Sequence, residues 1–215
     1  MENPIHLPTD PVHRLFRLTD IIFALSMVMF VLSGTLTVAD TGFWSGYDED
    51  PSGFVLQQGR ELLTALLVFL FIAVYWATHV NQAKYIIRVN GPYIWINLFY
   101  LFFIAMAPLP NALSIKFGSN FFVQMFVNLN MFLIGLFGFL AWYYATKGHR
   151  LVDKDLSVIQ IRTTNGEMIV EPLVAVIAGV ISFTVPSLWE LSLLLLPVGM
   201  VILGIVNRKK AQAAA

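Results

Sequence analysis

The chain has 215 residues, of which 58% are hydrophobic and only 12% charged, and its mean hydropathy is +0.74; that composition lies well outside the soluble range and marks an integral membrane protein. Its 13 basic residues balance its 13 acidic ones, so it lacks the basic footprint of a nucleic-acid binder. The absence of cysteine excludes disulfides, thiolate catalysis, iron–sulfur clusters and cysteine-held zinc together.

Six segments are long enough, or nearly so, to cross about 30 Å of hydrocarbon at about 1.5 Å per residue. They fall at 13–38, 61–80, 93–113, 121–146, 170–185 and 188–206. Unbroken apolar runs without strand alternation exclude a β-barrel, so the expected fold is an all-α membrane bundle of six transmembrane helices.

The first segment opens with Arg14, Arg17, Thr19 and Asp20 and continues from Ile21 to Leu32 with Ser26 as its one polar residue. It is long and lacks a small-residue cleavage site after it, so it reads as a retained helix, not a signal peptide. Arg17 fits an interfacial anchor. A carboxylate about a turn inside the helix has no such role and needs a partner, and Arg17 is within i,i+3 reach of Asp20.

Between the first two helices lies an acidic loop with Asp40, Asp48, Glu49 and Asp50, which reads either as a solvated loop or as a cation-gathering mouth. Residues 54–60 are expected to prolong the second helix beyond the bilayer as an amphipathic extension. Residues 147–167 form the longest polar stretch, and 158–161 with 163–170 read as a small hairpin turning at Asn165-Gly166. The fifth helix is short and meets the sixth at a tight Pro186-Ser187 turn.

With both termini placed in the cytoplasm, all of the 13 Lys and Arg residues except Arg60 and Lys116 fall on the inside. That bias predicts cytoplasmic tails at 1–12 and 207–215 around a transmembrane domain at 13–206. The alanine-ended stretch 211–215 reads as disorder or an expression remnant.

Motifs for chemistry are missing. The chain holds no glycine-rich phosphate loop, no HExxH metal site, no paired histidines for haem and no Thr-Val-Gly-Tyr-Gly filter; Ser45-Gly-Tyr47 is not one. The chain therefore reads as a non-enzyme without a cofactor. What remains is a set of polar groups at one membrane level: Arg14 and Asp20 on the first helix, His79 on the second, Trp95 and Asn97 on the third. Such a set either fixes helix register or takes a direct part in function.

These residues carry a resemblance. Arg14-x-x-x-Leu18-Thr19-Asp20 is similar to the Arg-x-x-x-Phe-Ser-Asp signature of the transmembrane protein 175 family of potassium channels, with Leu18 for Phe and Thr19 for Ser. Tyr75-Trp76-Ala-Thr-His79, Trp95-Ile-Asn97-Leu98 and Pro108-Leu-Pro110 resemble further elements of that family in order and spacing. The resemblance covers Arg14 to Leu113 and implies a bacterial six-helix homologue in the plasma membrane. It further implies a homotetramer, permeated by potassium and other monovalent cations, with the first helix lining a central pore.

Five residues beyond the motif aspartate the resemblance places the narrowest point at Leu25, with Met29 and Leu32 continuing the stripe and Val28 where some relatives carry a hydroxyl layer. Selectivity for potassium over sodium would then be modest and rest on dehydration at a hydrophobic gate. Arg14, Asp20, His79, Trp95 and Asn97 would position the pore helix. Two other readings stand beside the leak channel: a proton-coupled secondary transporter using Asp20 and His79, and a membrane scaffold without transport.

Overall fold

The computed structural model describes residues 10–39, 51–117, 120–200, 202, 203 and 206. The tails, the acidic loop with Asp40, Asp48, Glu49 and Asp50, and Ser45-Gly-Tyr47 lie outside the described residues, apart from 10–12.

Helix α1 spans Pro11–Ala39. Asp10 starts it by accepting a hydrogen bond from the Val12 amide at 3.0 Å, and Pro11 occupies the first helical position, where no amide is needed. Its buried residues Leu15, Thr19, Phe23, Ser26 and Phe30 recur every three or four positions along one face. The Ser26 hydroxyl donates to the Ile104 carbonyl at 3.2 Å, fixing α1 in register with the third helix.

Helix α2, Pro51–Ala83, includes the extension expected at 54–60 and lies chiefly against α1. Helix α3, Gly91–Met106, begins at Asn90, whose side chain accepts from the Tyr93 amide at 3.2 Å. The third segment, expected at 93–113, is one membrane-length helical stretch, Gly91–Ser114, with an irregular step inside it. Pro108 and Pro110 lack amide donors, so the hydrogen bonding tightens at Ala107, whose amide donates to the Ile104 carbonyl, and the stretch goes on as α4, Pro108–Phe117.

Helix α5, Phe121–Thr146, and helix α6, Val158–Thr184, form the most extensive pair. They come close at Gly135, where an added Cβ would stand 2.6 Å from the Pro172 ring. A short 3-10 turn at Pro186–Leu188 opens the last apolar helical stretch among the described residues, α7, Pro186–Met200.

The hairpin expected at 158–170 does not form. Ser157 caps a helix there by accepting from the Gln160 amide at 3.2 Å, and α6 runs unbroken through Asn165 and Gly166. Ile161 and Met168, seven apart, both pack on the core cluster around Trp142, so helical spacing is what the tertiary contacts reward. The fifth helix is thus long, beginning twelve residues before the expected start at 170.

Four helical stretches are long and apolar enough to cross a membrane among the described residues: Pro11–Leu32, Gly91–Ser114, Phe121–His149 and Val158–Thr184. The architecture is all-helical, with a single isolated antiparallel bridge, Ile86 to Val152, among the described residues. That bridge ties the α2–α3 link to the α5–α6 link at the basic end of the bundle. One apolar core cluster runs through the middle around Phe23, Tyr100 and Ile104, and a second sits beneath the bridge around Trp142 and Val152.

Candidate functional site: the outer face of the first helix and the polar seam behind it

Because α1 commits one face to the core, its other face is left open. Leu25, Val28 and Met29 are 59%, 55% and 50% exposed, and Leu32 is 42% exposed. Leu18 and Ile21 lie on the same side nearer the basic end, and Arg14 projects from it one turn before Leu18. Thr19 points the opposite way, buried, with its hydroxyl donating to the Leu15 carbonyl at 3.0 Å. The motif at 14–20 therefore splits by helical geometry into an outward Arg14 and Leu18 and an inward Thr19.

Asp20 sits between these faces. Its Oδ1 accepts a hydrogen bond from the Trp76 indole at 2.9 Å, so its partner is on α2 and is not Arg17. Together with His13, Arg17, His79 and Lys84 it lines an open hollow of about 310 Å³. His79 forms the inner wall. Its ring stacks on Tyr100 at 5.5 Å, meets Phe16 edge-on at 5.8 Å, and its Nε2 has no hydrogen-bond partner among the described residues.

Residues 14–108 match the family model of the endosomal/lysosomal potassium channel TMEM175.

The resemblance read from the motifs is borne out over that stretch, which is just under half of the chain and holds α1, α2 and α3 up to Pro108. No curated protein matches the chain. TMEM175 is a potassium-channel family, which agrees with an integral membrane protein whose open helical face is apolar. The match ends at Pro108, where α3 gives way to α4.

Within the TMEM175-matched helices, the polar residues expected to act together separate into groups. Asp20 and His79 share the hollow. Asn97 is buried deeper and donates to the Tyr93 carbonyl at 3.0 Å within its own helix, while Trp95 is 65% exposed and faces away. Arg14 is exposed as well.

Beyond the TMEM175 match, α6 adds a group that the sequence reading missed. Glu171 lies inside the bundle, hydrogen-bonded to the Tyr75 hydroxyl and close to Tyr100, beside a cavity of about 30 Å³ that Gln82 and Glu167 also line. Such a cavity has room for about one or two waters. Tyr75, His79 and Gln82 recur along one face of α2, and Gln82 reaches Met168 of α6 at 3.1 Å, so a polar seam runs behind α1 from Asp20 to Glu171. Reading 163–170 as a strand hid this, because a helix was needed to turn Glu171 inward. At the other end Asn128 accepts from the Trp189 indole at 3.0 Å and donates to Ser182 at 3.2 Å, joining α5, α6 and α7.

Proposed function

We propose that the chain is one subunit of a homotetrameric, potassium-permeable cation channel in which α1 lines the central pore and Leu25 forms its narrowest ring. The observation that carries this reading is the two-sidedness of α1: its buried stripe is used within the subunit, and Leu25, Val28 and Met29 form an apolar stripe on the other side. Four such stripes around an axis make a hydrophobic constriction continued by Met29 and Leu32. Cations pass it by shedding part of their hydration, which is easier for potassium than for the smaller, more tightly hydrated sodium. No bound cofactor takes part. Asp20, anchored by Trp76, and the buried His79 hold α1 against α2, and Arg14 faces the neighbouring copies. Both termini lie in the cytoplasm, as the distribution of basic residues favours.

A second reading, a proton-coupled carrier, draws on Asp20 and His79 lining one hollow. Purified protein in liposomes with an outward potassium gradient separates the two. Electrogenic flux that persists without a proton gradient supports the channel. Saturable flux that needs a proton gradient supports the carrier, and no flux at all supports a scaffold.

A further inference from the structure

At the basic end of the bundle, Arg88 from the α2–α3 link and Lys147, His149, Arg150 and Lys154 from the α5–α6 link surround a single open hollow of about 610 Å³, whose lining among the described residues contains no carboxylate. We propose that this hollow binds the phosphate headgroup of an anionic membrane lipid, with the acyl chains lying along the outer face of α5. Four of the five side chains are permanently cationic, and gathering them around one space is unfavourable until an anion fills it.

The hollow is built, not the chance meeting of mobile tails. Gly148 and His149 take left-handed backbone angles, φ +65 and +50, which turn the chain sharply after α5 and bring Lys147 and Arg150 to the same side. The Leu151 amide donates to the Ala145 carbonyl at 2.9 Å, the Ile87 amide to the Leu151 carbonyl at 3.0 Å, and Arg88 Nε to the Arg150 carbonyl at 2.9 Å. Leu151 and Val152 are buried beneath, so the platform is pinned to the core.

A lipid fits better than a free anion because of what adjoins the hollow. The Arg150 guanidinium lies 4.3 Å over the Tyr144 ring and the Lys147 ammonium 5.5 Å over that of Tyr143, placing cations at an aromatic membrane edge. Tyr143 stacks in turn on Phe139 one turn deeper, and this column leads from the charged hollow into the apolar region. Asp153 and Asp155 lie next to the site but outside its lining; the Asp153 carboxylate caps the Asp155 amide.

The test is native mass spectrometry of the full chain extracted from vesicles of phosphatidylcholine mixed with phosphatidylglycerol. We expect phosphatidylglycerol to be retained in preference. The double variant Lys147→Gln/Lys154→Gln should lose that preference by roughly tenfold or more, while Arg162→Gln on α6 should not. Lys154→Gln alone, at an exposed loop position, should give an intermediate loss and serves if the double variant does not fold. Equal retention of phosphatidylcholine, or an equal loss in Arg162→Gln, would overturn the site. Inorganic pyrophosphate that stabilises lipid-free protein and displaces the retained lipid would identify a soluble anion as the occupant and overturn the lipid.

Discussion

The Trp76 indole donates to Asp20 at 2.9 Å across 56 residues of chain, and this is the polar tie between the motif aspartate and its neighbouring helix. Asp20 is itself exposed, so its placement depends on that donor more than on burial. A carboxylate at the edge of a membrane helix is stabilised by such a partner, and the partner in turn limits how far α1 can rotate.

Trp76→Phe keeps an aromatic ring and removes the donor together with the five-membered ring that carries it. It should reduce recovery of intact oligomer, or open probability, in the same direction as Asp20→Asn. Because both variants break one bond, the double variant should be no worse than the more severe single variant. Fluorescence-detected size exclusion with single-channel recording checks this. Additive effects would mean that Asp20 acts through another group.

The α5–α6 pair offers a sharper test of packing. At Gly135 an added Cβ would meet the Pro172 ring at 2.6 Å and its backbone nitrogen at 2.9 Å, and neither atom belongs to a flexible chain end. Gly135→Ala should destabilise by about 1–3 kcal/mol or disrupt folding. At Gly166, also in a helix, an added Cβ meets nothing within 4 Å, and Gly166→Ala should stabilise by up to about 1 kcal/mol. Thermal unfolding of both variants in one detergent provides the comparison, and a stable Gly135→Ala would show that the two helices separate easily.

The difference between these glycines also shows what could be read from the chain alone. Apolar runs and basic flanks located α1, α2 and α5 well, because membrane helices announce themselves by length and composition. Asn165-Gly166 has the local chemistry of a hairpin turn, yet the Ser157 cap and the packing of Ile161 and Met168 make it helix. Local propensity lost to tertiary contact there, and with it went the inward orientation of Glu171. The stripe on α1 was placed by the family resemblance at Leu25 and only continued by helical spacing, and its side chains are exposed in the subunit; the partners of Asp20 and Asn97 were not legible, because Trp76 and Tyr93 are chosen by helix rotation, which spacing alone does not specify.

Glu171 and Tyr75 join α6 to α2 through one buried hydrogen bond. Glu171→Gln retains a partner for the Tyr75 hydroxyl and should be well tolerated. Glu171→Leu leaves that hydroxyl without its acceptor and should destabilise by about 1–3 kcal/mol. Adding Tyr75→Phe to Glu171→Leu removes the stranded group and should recover part of the loss. If the double variant is as unstable as the sum of the singles, the hydrogen bond is not the relevant contact.

Selectivity gives the last prediction. In the proposed channel, a chain without a glycine-rich segment able to stack carbonyls, and with Val28 bringing no hydroxyl to replace lost water, would discriminate between cations by dehydration at Leu25. A weakly coordinating ring recovers only about 1.4 kcal/mol of the hydration difference, which corresponds to about tenfold preference for potassium over sodium at most. Leu25→Asn replaces an exposed apolar side chain by a polar one of similar length and hydrates the ring. Conductance should rise and the preference should move toward unity, while Leu15→Ala on the buried face should leave the ratio of any surviving current unchanged. Bi-ionic reversal potentials decide the matter: a wild-type preference in the hundreds, or a ratio indifferent to Leu25→Asn, would place the selective element away from the outer face of α1.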